Sequence, residues 1–272
     1  MPNSAHLRSR SLIAVGGEEA TAFLQNLITC DVENLSEGAA SFGALLTPQG
    51  KILFDFLLYR TDSGFFIDVS AEQAADLTKR LMFYRLRANV DIEPIDDAVY
   101  VVWPTDGDGF ADPRDKRLGV RLIGATDVTL GEPDWDALRI NLGFPECGKD
   151  YEASTVFPHE ALMDHFGHSG VDFSKGCYVG QEVVSRMQHR GTARSRFVKV
   201  ASKGGELPIN GTEVKAGEKT IGKMGSHAGS NGIALLRLDR TAEAVAHEQE
   251  ITVGDIVIKP ALPDFVTFGW PR

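Results

Sequence analysis

The sequence predicts a region of mixed strands and helices followed by a small antiparallel β-barrel. Two observations carry this. Up to about residue 191, apolar runs of strand length alternate with stretches of helical period. After Gly191, short β-rich segments alternate with glycine turns at even spacing, the signature of a small barrel. The boundary falls at residues 191–196, giving residues 1–192 and 193–272 as the two regions.

Taken in order, residues 12–15 read as a strand. Gly16-Gly17 and a helix with Phe23, Leu24, Leu27 and Ile28 on one face come next. Residues 39–46 and 51–60 are apolar runs joined by Thr47-Pro48-Gln49-Gly50, a hairpin signal. A third strand is expected over 65–69, then an amphipathic helix over 71–89 whose Lys79, Arg80, Arg85 and Arg87 form either a solvated face or a site for an anionic tail or partner. Strands over 99–103 and 118–123 flank an Asp- and Gly-rich loop, and helices are expected over 134–142 and 159–166. The barrel strands are expected at 197–201, 212–215, 221–225, 232–238, 251–253 and 255–258.

A chain of 272 residues, 43% hydrophobic and 24% charged, is ordinary for a globular protein. Its net charge of −10 argues against sequence-independent nucleic-acid binding, which needs a basic surface. Cys30, Cys147 and Cys177 are too widely spaced for a disulfide framework and fit a reducing compartment. The first ten residues lack the apolar core of a secretory signal, and no apolar run approaches the ~18 residues of a membrane helix. The expectation is a bacterial cytoplasmic protein without a membrane partner.

The stretch KGCYVGQEVVSR, Lys175 to Arg186, concentrates chemistry. Phe173-Ser174 read as the end of a strand, and Val179, Val183 and Met187 at i, i+4, i+8 give a helix over 179–187. Cys177 then lies in a glycine-flanked turn before a helix N-terminus, where unpaired N–H groups and the dipole favour a thiolate. Lys175 adds a second positive field, and Gly176 and Gly180 permit a tight turn or close approach. Gln181 and Glu182 are placed to cap backbone N–H groups, and Glu182 can pair with Arg186 at i+4, worth ~0.3–0.5 kcal/mol. His159, His165, His168 and His189 match no zinc spacing, and the cysteines spell no iron–sulfur ligand set, so no resident metal is expected.

The central stretch meets every fixed position of K-G-C-[aromatic]-x-G-Q-E-x-x-x-R and so resembles the YgfZ family, folate-binding proteins of iron–sulfur cluster assembly or repair related to the glycine-cleavage T-protein, an aminomethyltransferase. FLQNLITCDVENL, TPQGKILFDFLLYR, RINLGFPECGKD and IGKMGSHAGSNGIALLRL extend the resemblance over nearly the whole chain. It implies an α+β tripartite ring around a folate-sized channel, closed by the C-terminal antiparallel β-barrel. It implies tetrahydrofolate as ligand and the iron–sulfur assembly machinery or client iron–sulfur enzymes as partners. Cys177 and Lys175 become the reactive pair. Trp135, Arg139, Asn141, Asp55, Tyr178, Gln181 and Glu182 become the folate-binding positions. Trp135 either stacks on a conjugated ring or packs in the core, and Arg139 either pairs with a glutamate tail or caps a helix. In aminomethyltransferases the positions of Phe54 and Asn141 are carboxylates; their replacement here argues against that activity. The competing readings are a folate-dependent aminomethyltransferase and a non-enzymatic interaction module.

Overall fold

The computed structural model describes residues 2–105, 107–191 and 193–271. Met1, Thr192 and Arg272, at the ends of the two expected regions, lie outside the described residues, as does Asp106 of the Asp- and Gly-rich loop. The chain divides into two compact units, Met1–Trp135 with Phe166–Val183, and Asp136–His165 with Val184–Arg272.

Strands β1 (Asn3–His6) and β2 (Arg10–Gly16) precede a short helix α1 (Ala20–Gln25) that buries Phe23 and Leu24. The hairpin read around Thr47–Gly50 is β3 (Ala40–Leu46) paired antiparallel with β4 (Ile52–Thr61), and β5 (Gly64–Ser70) adds the next strand. Helix α2 (Ala71–Arg85) ends four residues before the expected Asn89, because the backbone at Leu86 turns to φ 48, which no α-helix continues. After it come β6 (Asp91–Ile95), β7 (Val99–Trp103), β8 (Phe110–Ala111), β9 (Val120–Ile123) and α3 (Glu132–Leu142).

In the first unit the sheet order is β3-β4-β5-β2-β6, with a second sheet β1-β7-β9-β8. Alternation along β4 puts Phe54, Phe56 and Leu58 in one core with Ile13 and Val15 of β2, Ile67 of β5, and Leu77 and Leu81 of α2. The intervening Asp55 and Leu57 are buried on the opposite face. Two expectations are corrected here. Phe173-Ser174 close no strand but enter a turn, and residues 159–166 form only a 3-10 turn, Met163–His165, in place of a helix.

Helix α4 (Gln181–Arg190) begins two residues later than Val179, since Gly180 holds φ +81. The remaining strands are β10 (Ser195–Ser202), β11 (Glu213–Ala216), β12 (Lys219–Ala228) and β13 (Asn231–Arg237), then helix α5 (Leu238–Ala246), β14 (Ile251–Val253) and β15 (Ile256–Ala261). The six strands close as a barrel, β10-β13-β12-β11-β14-β15, with β15 returning to pair with β10. Val198, Val214, Met224, Leu236 and Val253 fill it. The α5 segment escaped the sequence reading; it buries Leu238, Thr241 and Ala244 in a span left unassigned between two strands. Among the described residues no helix is long and apolar enough to cross a membrane.

Candidate functional site

The start of the Lys175–Arg186 stretch is held in the first unit by three sets of bonds. First, residues 168–172 are stitched to the segment after α1. Asp31 N–H donates to the His168 carbonyl at 3.0 Å, Asp172 N–H donates to that of Thr29 at 3.0 Å, and Thr29 Oγ1 donates to that of Gly170 at 2.5 Å. Second, Asp172 Oδ1 accepts from Ser174 N–H at 2.7 Å, Ser174 Oγ at 2.6 Å and Lys175 N–H at 3.1 Å, a side-chain turn that replaces the expected strand end. Third, the Lys175 ammonium donates to the carbonyls of Ile28 at 2.7 Å and Cys30 at 2.6 Å.

Beyond Lys175 the chain emerges. Cys177 is exposed, whereas Cys30 and Cys147 are buried. Tyr178 turns back inward at 7% exposure, with the Lys175 ammonium 5.4 Å from its ring centroid. Gly180 lies against the β3–β4 turn: a Cβ there would sit 2.5 Å from the Thr47 carbonyl oxygen and 3.1 Å from Gly50 Cα. Gly50, at φ +79, is as tight against Gly180 and Val183. Glycine is thus required at both faces of this contact by space and by backbone angle. A Cβ on Gly176 would meet nothing within 4 Å, so the expected need for glycine there is not found.

The charges explain the anchoring. Burial pulls the Lys175 ammonium below its ordinary value, against the attraction of nearby Asp31, Asp172 and Glu33. Burial pushes the Cys30 thiol up to about 11, which leaves it a protonated, inert core group packed against Gly43. Asp172 resists its own burial and sits below the usual carboxylate range, because Ser174, His168 and the Lys175 N–H bond its ionised form. Asp31 does the same through Asn34 and Gln25. His168 is raised by its hydrogen bond to Asp172, Nδ1 to Oδ2 at 2.6 Å.

Several expected roles are corrected. Lys175 donates to main-chain carbonyls and not to the Cys177 sulfur, so it positions the loop rather than activating the thiol by contact. Cys177 stands four residues ahead of Gln181, the first residue of α4, outside the first turn where the dipole acts most strongly. Trp135 is 2% exposed; its indole N–H reaches the Leu118 carbonyl at 3.5 Å and the Arg121 guanidinium lies 4.4 Å from its ring centroid, so it packs in the core and offers no stacking platform. Arg139 has zero exposure and is consumed by Asp150 at 2.7 Å, Asp136 at 3.2 Å and Glu146 at 3.6 Å and by the Phe144 carbonyl at 2.6 Å. A folate tail cannot reach it. Asp55 is buried at 3%. Asn141 is exposed and, with Lys199 of β10 and Lys259 of β15, lines a cavity of about 290 Å³. Gln181 donates weakly to the Gly176 carbonyl at 3.5 Å, and Glu182 is exposed. The structure therefore brings together Lys175, Cys177, Tyr178 and Gln181, and leaves Trp135 and Arg139 as framework. Asp31 and Asp172 were missed, and His168 was noticed but set aside; an Asp two residues before a Ser is the turn signal that marks Asp172.

Residues 7–103 match the GCVT N-terminal domain family and residues 194–268 the CAF17 C-terminal β-barrel domain family. The chain is 30% identical to the "Iron-sulfur cluster assembly factor IBA57 homolog, mitochondrial" of Pyricularia oryzae, over 86% of this chain and 71% of the relative. It is 28% identical to the "Iron-sulfur cluster assembly factor IBA57, mitochondrial" of Homo sapiens, over 97% of this chain and 84% of the relative. The fold matches the crystal structure of glycine cleavage system aminomethyltransferase T from Bartonella henselae with a TM-score of 0.72 at 17% identity, covering 97% of this chain and 86% of that one. The cytoplasmic placement expected from the sequence is corrected by these relatives, both of which are named mitochondrial. The fold is that of the aminomethyltransferases with a closed six-stranded barrel, and these two relatives carry the IBA57 name where the sequence motif had pointed to the related YgfZ family: this chain belongs to the IBA57 family.

Proposed function

We propose that this protein acts in iron–sulfur cluster assembly through the Cys177 thiol. The observation that carries the reading is the contrast in thiol placement: Cys177 alone of the three cysteines is exposed, on a loop fixed on both sides by Lys175 and Gly180. The names of the relatives support the biological setting. A cluster is ordinarily held by several thiolates, and Cys30 and Cys147 are sealed in the core, so Cys177 supplies one ligand and a partner protein supplies the others. The partners in this reading are the assembly machinery or its client enzymes. Transient ligation of a cluster iron by a thiolate needs only exposure and a fixed position, both of which the loop gives.

Tetrahydrofolate binding is the finer part of the proposal and rests on the family resemblance and the match over residues 7–103. With Trp135 and Arg139 built into the framework, folate recognition falls to other residues. Calorimetric titration tests this part by itself: saturable binding supports it, and a flat titration removes folate while leaving the thiol role intact. The thiol role is tested by replacing the chromosomal copy with Cys177→Ser. We expect cluster-dependent enzymes to lose activity while the variant accumulates normally. Unchanged activity of those enzymes would refute the role.

A further inference from the structure

We propose that Asp31, His168 and Asp172 form a divalent-metal site with two carboxylates and one imidazole as ligands. One ligand atom from each of the three lies within 4.8 Å of the others. Metal–oxygen and metal–nitrogen bonds of about 2.0–2.2 Å span such a triangle with small side-chain movements. The two carboxylates are buried, at 6% and 4% exposure, and two anions this close in a buried place repel. The fold nonetheless keeps both oriented. Asp31 accepts from Gln25 Nε2 at 3.1 Å, Glu33 N–H at 3.2 Å and Asn34 Nδ2 at 2.6 Å, and Asp172 accepts from the 174–175 turn. These are the outer bonds that fix carboxylate ligands in metal centres. The nearby cation, Lys175, spends its donors on the Ile28 and Cys30 carbonyls.

A second, independent feature points to a ligand. The Tyr178 hydroxyl is buried and makes no hydrogen bond, and Asp172 is the charged group that acts on the phenol. His168 is exposed, with 81% of its side chain accessible, which gives the metal a path from solvent. Three protein ligands leave open positions, so the site suits exchange rather than permanent structure. Oxygen and imidazole donors select borderline ions such as iron(II) or cobalt(II), and hard manganese(II), over the soft copper(I). The site stands apart from the thiol reading, since it uses no atom of Cys177 and can be measured without any cluster client.

The test is anaerobic titration of the full chain with cobalt(II), read by its visible absorption, for the wild type, His168→Ala, Asp31→Asn and Cys177→Ser. We expect stoichiometric binding by the wild type and by Cys177→Ser. Affinity should fall at least about tenfold in His168→Ala and in Asp31→Asn, as for lost ligands or their supports. Because His168 is exposed, His168→Ala keeps its fold, checked by circular dichroism. No cobalt binding by the wild type, or equal affinity in His168→Ala, overturns the site. Loss of binding in Cys177→Ser overturns the ligand assignment.

Discussion

The Arg139 and Lys175 segments both read from the sequence as parts of the site, one as a ligand contact and one as a partner of the thiol, and they have opposite fates. Arg139 is saturated by three carboxylates and a carbonyl at zero exposure. Lys175 is also tied down, by two carbonyls, but two residues later the chain presents a thiol at the surface. Motif chemistry alone does not separate a strut from a site. What separates them is whether a fixed frame ends in an accessible nucleophile.

The sharpest way to break the comparison is Arg139→Met. It leaves Asp136, Glu146 and Asp150 without their shared cation, and loss of one partner of such a buried network costs ~3–5 kcal/mol in denaturant unfolding. A cost below about 1 kcal/mol, as for a surface pair, would return Arg139 to the list of ligand contacts. Next comes Lys175→Met, which strands the Ile28 and Cys30 carbonyls; a lost bond to a charged group predicts about 2 kcal/mol. An unchanged stability with lost function would show that Lys175 acts on the thiol after all.

Gly180→Ala should cost more than about 1 kcal/mol, because the backbone angle disfavours alanine and Thr47 fills the space. Gly176→Ala, facing open space, should stay within about 0.5 kcal/mol. Equal effects of the two would mean the loop is not seated on the β3–β4 turn. The smallest effect is the pH response of the His168–Asp172 pair. His168 is raised above 6.5, so its contribution is full below that value and fades as pH rises through the raised one. Asp172 is lowered below 3.8, so its contribution is present above that value and fades only as pH falls through the lowered one. The pair is therefore strongest between these two ordinary values. A proton-NMR titration should place the His168 midpoint above 6.5; a midpoint below it would deny the bond to Asp172.

Much of the fold was legible because apolar periodicity and turn residues are local signals. The β3–β4 hairpin, α2, α3 and the six barrel strands follow from them. Helix α5 was hidden because its span was left unassigned between two expected strands, and the ends of α2 and α4 were set by single backbone angles at Leu86 and Gly180 that composition does not reveal. At the site, the glycine-flanked thiol stood out in the sequence. The partners of its neighbours did not. Lys175 bonds the carbonyls of Ile28 and Cys30, and Asp172 meets Asp31, all from far earlier in the chain. Trp135 and Arg139 misled because burial, which decides their role, is a property of packing and not of spacing.

The most direct measurement is alkylation of the native protein with iodoacetamide, mapped by mass spectrometry and followed by a cluster-delivery assay and thermal unfolding. We predict modification at Cys177 with Cys30 and Cys147 spared, loss of support for cluster-dependent enzymes, and an unchanged unfolding temperature. Alkylation of Cys30 or Cys147 at the same rate as Cys177, or full activity after Cys177 is blocked, would contradict a functional thiol at the end of a rigid frame.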